Sequence, residues 1–175
     1  MENKELKKRK PTRLKEFDYS SSGAYFITIC TKERQKILSK IVGDGAHDVP
    51  KTELTEYGRI VEKYILSTDK IENAFVEQYV IMPNHIHMIV YVANPENKYE
   101  NLKGGGTSRA PSPTNEIIPH IVSTLKRLCN KEIGENIFQR SYHDHIIRNK
   151  EDYEEISKYI YQNPINWKMD EFFVE

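Results

Sequence analysis

The sequence predicts an α+β fold built on one antiparallel sheet, and three observations predict it. Stretches rich in β-branched and aromatic residues occur at 24–30, 75–82, 85–92 and 141–148. Runs with helical spacing of apolar residues separate the first stretch from the second and the third from the fourth. The second and third are joined by Pro83-Asn84 alone, which makes them a hairpin. The resulting order is β-α-β-β-α-β, the ferredoxin-like arrangement with two helices on one face of the sheet, followed by an additional C-terminal helix.

The first strand, Ala24 to Cys30, follows the turn-rich Ser20-Ser21-Ser22-Gly23. From Leu54 to Thr68 the residues Leu54, Tyr57, Val61, Tyr64 and Ile65 recur at helical spacing. Phe75 to Met82 is the second strand. In the turn, Pro83 presets φ and Asn84 suits the left-handed region. His85 to Val92 pairs back. A Gly-, Ser- and Pro-rich segment at about 94–115, containing "KGGGTSRAPSPTN", reads as a mobile loop. The next helix is capped by Thr114 or Asn115, holds Pro119 in its first turn, and aligns Ile118, Ile121, Val122, Leu125, Leu128 and Cys129. Ser141 to Arg148 is the fourth strand. The last helix starts from a cap at Asn149, with Asp152 three residues on, and stops at Pro164. Its stripe of Tyr153, Ile156 and Ile160 faces the sheet.

At 175 residues, with 38% hydrophobic and 30% charged residues, the chain reads as a basic arm, 1–15, followed by one domain, 16–175. No apolar run approaches the ~18 residues of a membrane span, and the charged start lacks a secretory h-region, so a cytoplasmic protein with no membrane role is expected. Two cysteines, Cys30 and Cys129, exclude a disulfide framework and read as core residues. The formal net charge is zero but unevenly spread: Lys4, Lys7, Lys8, Arg9, Lys10, Arg13 and Lys15 stand against Glu2 and Glu5, leaving +5 in the arm. Such an arm either releases counterions from a nucleic-acid backbone or serves only as a solubilising tail.

Two residues apart on a strand, His85 and His87 project to one face while Ile86 and Met88 project to the other. Neighbouring same-face positions lie roughly 7 Å apart and metal–nitrogen bonds run about 2 Å, so both rings can lean onto one ion. A half-exposed strand with a polar face is the plainer reading. In the last helix Tyr159 and Asn163 are four apart, roughly 40° around the axis, so phenol and amide can face one site. With 11 tyrosines in the chain, a packing role for Tyr159 is the plainer reading there.

"MPNHIHMIV" resembles the His-hydrophobic-His signature of the HUH single-strand DNA endonucleases. "FQRSYHDHIIRNKEDYEEISKYIYQNP" resembles the C-terminal motif of the REP-associated tyrosine transposases, relatives of small insertion-sequence transposases, and "RLKEFDYSSSGAYFITIC" suits the same group. The likeness runs from about Arg13 to Trp167. It implies that His85, His87 and Asn163 bind Mg²⁺ or Mn²⁺ and that Tyr159 is the catalytic nucleophile. The simplest pattern of the group has glutamine where this chain has Asn163. The implied activity is metal-dependent cleavage and strand transfer of single-stranded DNA near hairpins of palindromic repeat elements, through a 5′-phosphotyrosine. It implies a nucleoid-associated monomer or homodimer, with Arg13, His145 and Arg148 contacting DNA. Two rival readings are a domesticated hairpin-DNA-binding protein without turnover and a ferredoxin-like RNA-binding module. The second lacks the stacking aromatics, since "HIHMIVYV" offers only Tyr91.

If the arm grips phosphates, deleting residues 1–15 weakens binding to structured single-stranded DNA and flattens the dependence of log Kd on log salt. Equal slopes with and without the arm, in a fluorescence-anisotropy titration, would leave it a solubilising tail.

Overall fold

Gly23–Cys30 (β1) feeds two cores, Tyr25, Ile27 and Ile29 entering one and Ala24 and Phe26 the other. It can be central because both of its edges are paired, antiparallel to His85–Val92 (β5) and to His143–Ile147 (β6). Before these come the short strands Ser39–Val42 (β2) and Lys51–Leu54 (β3), which form a separate pair, then the helix Glu56–Leu66 (α1) and the strand Ala74–Ile81 (β4). The main sheet has the order β4-β5-β1-β6. Since β1 and β4 are each antiparallel to β5, they run the same way with β5 between them, bridged by α1: the split β-α-β of the ferredoxin-like arrangement. The computed structural model describes residues 23–43, 48–93 and 117–174. The arm with Arg13, the segment 94–115 and the cap expected at Thr114 or Asn115 lie outside the described residues.

The larger core lies between one sheet face and two helices. Val61 and Ile65 of α1, with Ile118, Ile121, Val122, Leu125 and Cys129 of Ile117–Ile133 (α2), pack on Ile27, Ile29, Ile86, Met88 and Val90. The opposite face carries Lys150–Gln162 (α3), which lays Ile160, flanked by Tyr153 and Ile156, on Ala24, Val80, Met82 and Ile89. Fully burying an aliphatic side chain contributes about 1.5–3 kcal/mol. α2 buries five residues and α3 only Ile160, so α3 leans on polar contacts as well. Ser157 Oγ donates to Gln78 Oε1 at 2.7 Å, and Gln78 Nε2 donates to the Ser157 carbonyl at 3.1 Å. The Asn149 cap forms as its sequence predicts, accepting from the Asp152 amide at 2.8 Å.

Three local features differ from expectation. Leu54 ends β3 rather than opening the helix, which starts after Thr55, whose hydroxyl caps it by accepting from the Gly58 amide. The β2–β3 pair is unanticipated because strands of four residues are too short to carry a pattern. β4 holds a bulge between Val76 and Gln78. Gly58 lets the first turn of α1 sit against the Leu38 carbonyl, where an added Cβ would fall 2.0 Å from the oxygen. Leu38 in turn donates its amide to Pro83, so this contact braces the hairpin turn ahead of His85.

Gly58→Ala should therefore cost about 3 kcal/mol through overpacking of backbone on backbone. Urea unfolding should show a lowered midpoint at unchanged slope; an unchanged midpoint would mean that α1 lifts away freely.

Candidate active site

β5 carries His85 and His87 toward α3 because Ile86, Met88 and Val90 claim the opposite face for the larger core. Contrary to a half-exposed strand, both imidazoles are buried, at 0% and 1% exposure, with ring centroids 4.4 Å apart. The Pro83-Asn84 turn joins the strands as expected, but Asn84 is absent from the positive-φ residues; its side chain is what the site uses. Asn84 Nδ2 donates to the Phe172 carbonyl at 2.8 Å, which turns its Oδ1 toward His85 Nδ1 at 2.9 Å. That oxygen can only accept, so His85 Nδ1 bears the proton and Nε2 keeps a lone pair. His85 Nε2 is buried and has no hydrogen-bond partner.

His87 is held from both ends. Its Nδ1 is hydrogen-bonded to Thr28 Oγ1 at 2.8 Å, and Nε2 lies 3.3 Å from the Tyr159 hydroxyl. Burial holds the His87 pKa well below its ordinary value, helped by the adjacent His85. Burial likewise lowers His85 to about 4, against the opposing charge of Asp170. Both rings are therefore neutral at pH 7, the form that ligates metals.

The helical spacing of Tyr159 and Asn163 brings both side chains to these rings. Asn163 is 2% exposed and keeps a helical backbone, φ −56° and ψ −43°, at the end of α3. Its Nδ2 donates to Asp170 Oδ2 at 2.7 Å, while its Oδ1 is buried without a partner. The Tyr159 hydroxyl donates to the same Asp170 oxygen at 2.9 Å. Burial, then the charge and hydrogen bond of Asp170, raise the phenol's pKa, so Tyr159 is protonated here. Two orphaned buried acceptors facing one group of side chains fit a bound cation. Ligand atoms of His85, His87 and Asp170 lie within 4.8 Å of one another.

Asp170 was not legible in the sequence. It follows Pro164, where helical spacing ends, on a short tail that lies across the site. Phe172 packs 4.8 Å from the His85 ring and 5.7 Å from His87, and Arg34 stacks on Phe172 while donating to the Glu171 carbonyl. Beside Phe26, which stacks on His87 at 5.1 Å, opens a cavity of about 320 Å³ lined by Thr28, Arg34, His143, His145 and Phe172. His145 thus shares the face of the site, and its Nε2 is paired with Asp152 at 3.0 Å. Arg148 is exposed beyond the end of β6, where its backbone amide donates to Asp152. Lys126 donates to the carbonyls of Gln139, Arg140 and Ser141, a structural duty.

No family model matches the chain. An uncharacterised Haemophilus influenzae protein is 31% identical over 95% of this chain and 94% of its own length. A second protein of that organism, named "Putative REP-associated tyrosine transposase", is 26% identical over 85% of this chain and 73% of its own. The solved structure of a REP-associated tyrosine transposase bound to a REP hairpin shares the fold, with TM-score 0.56 and 19% identity over 84% of this chain and 69% of that one. In sequence this chain is similar to a protein named as a REP-associated tyrosine transposase, and in fold to a solved one. Among the described residues no helix is long and apolar enough to cross a membrane.

The buried neutral His85 ties stability to pH. Its folded pKa lies below the unfolded value of about 6.5, so the unfolded chain binds the extra proton first and stability falls as pH drops from about 6.5 to about 4. In metal-free buffer this should remove about 3 kcal/mol by pH 4. Denaturant titrations of His85→Gln should show a shallower loss over that window; parallel slopes would exclude His85 as the source.

Proposed function

We propose that this chain is a metal-dependent single-strand DNA endonuclease and strand-transferase that cuts beside DNA hairpins through a 5′-phosphotyrosine intermediate. In this reading Tyr159 is the nucleophile and His85, His87 and Asn163 hold Mg²⁺ or Mn²⁺. The observation that carries it is the convergence of a phenol 3.3 Å from His87 with two orphaned acceptors, His85 Nε2 and Asn163 Oδ1. Two imidazoles and an amide oxygen suit Mn²⁺, and Mg²⁺ where it is abundant.

The bound ion would offset charge developing on the scissile phosphate. Tyr159 is 38% exposed, so a strand can approach its side chain while the histidines behind it stay buried. The phenolic oxygen attacks phosphorus, the bond to the 3′ oxygen breaks, and the net transfer of one proton from the phenol leaves a free 3′-hydroxyl. The phosphoester is conserved, so a second 3′-hydroxyl can reverse the step and rejoin DNA without a nucleotide. A flexible single strand can bend between sheet and α3, and the cavity beside Phe26 offers it aromatic faces for a base, with Arg34 and His145 for a phosphate. Arg148 and Arg13 would extend that contact.

Incubating the protein with Mn²⁺ and single-stranded DNA from palindromes flanking its own gene should give an SDS-resistant adduct attached at Tyr159. Tyr159→Phe should abolish the adduct with binding retained, and the double variant His85→Ala, His87→Ala should lower cleavage by at least ~10²-fold. An adduct that persists in Tyr159→Phe would displace the nucleophile; binding without any adduct would favour a DNA-binding protein without turnover.

A further inference from the structure

We propose that Asp170, on the tail after α3, is a ligand of the same ion and gives up the Tyr159 hydroxyl to bind it. The inference rests on the metal site proposed above and adds to it a residue outside the His-x-His and Tyr159–Asn163 motifs.

Three observations carry it. First, one ligand atom each from His85, His87 and Asp170 lies within 4.8 Å of the others. An ion with bonds of about 2.1 Å sets opposite ligands about 4.2 Å apart, so the three need only small movements to close on it. Second, the charge balance asks for a carboxylate. Two neutral imidazoles and an amide leave a buried dication without a counter-charge, and a hard anionic oxygen suits Mn²⁺ or Mg²⁺. Third, Asp170 is fixed in place: its Oδ1 accepts from the Phe172 amide at 2.7 Å, and its segment is tied to the hairpin turn through Asn84 and to Arg34 through Glu171.

Asp170 Oδ2 already accepts from both Tyr159 and Asn163. A cation on the carboxylate competes with those donors. Asn163, whose Oδ1 is already the unpartnered acceptor, loses a partner for its Nδ2, and Tyr159 loses the partner that holds its proton. The carboxylate thus serves the phenol in the metal-free protein and the ion in the loaded one.

The test is calorimetric titration of the full chain, stripped of metal, with Mn²⁺, alongside the visible spectrum of the Co²⁺ form. Asp170→Asn should weaken Mn²⁺ roughly tenfold or more and alter the Co²⁺ bands, while Asp170→Glu retains most of the affinity. On the unaltered protein, infrared difference spectra should show a carboxylate band shifting as Mn²⁺ is added, a readout that survives any misfolding of the variants. If the wild type takes up no Mn²⁺, the metal site and the role of Asp170 fall together. If it binds Mn²⁺ through His85 and His87 but Asp170→Asn binds equally, or no carboxylate band moves, Asp170 alone is excluded.

Discussion

Two imidazoles sealed from water impose the constraint around which this fold is arranged. A buried acceptor left unpaired costs about 1–3 kcal/mol, and His85 Nε2 and Asn163 Oδ1 are both in that state. The chain bears the cost because every other polar atom of the two rings is engaged. Thr28 holds one ring across the strand and Asn84 holds the other beside the turn. Because Thr28 pairs with His87 in the β1–β5 register, a one-residue slip would put both histidines into the aliphatic core. Register, hairpin turn and tail therefore converge on one small group of atoms.

The two faces of the sheet divide the labour. One packs α1 and α2 on a continuous aliphatic core that supplies most of the burial. The other supports a smaller cluster, where α3 lays Ile160, Tyr153 and Ile156 on the sheet and adds polar ties from Ser157 to Gln78, Asp152 to His145 and Tyr159 to His87. This face thus trades aliphatic burial for polar contacts, and it is the face that carries the two histidines.

What the sequence revealed followed from periodicity. Strand alternation placed His85 and His87 on one face, and helical spacing put Tyr159 and Asn163 on a common stripe; the fold brings the four together. The Asn149 cap and the stop at Pro164 were equally legible, being local chemistry. Information was lost where no period operates. Asp170 and Phe172 lie beyond Pro164, and only tertiary folding returns them to the histidines. Asn84 was read for its backbone when its carboxamide mattered. β2 and β3 were too short to register, and Leu54, apolar and in phase with the helix, belongs to a strand. His145, opposite Phe26 in the sheet, shares the histidines' face, but its Asp152 partner comes from the first turn of α3 and could not be read from strand alternation.

The carboxamide of Asn84 couples His85 to a distant stretch of the chain. It reads the Phe172 carbonyl, 88 residues away, and transmits the result to His85 as a choice of tautomer. Without that carbonyl the amide is free to turn over and present its N–H₂ to Nδ1, which moves the imidazole proton to Nε2 and converts a lone pair into a donor that repels cations. Displacing the Phe172 carbonyl would therefore leave the sheet folded but His85 in the other tautomer. The segment around Phe172 thus sets, from far along the chain, which nitrogen of His85 is left free to face a cation.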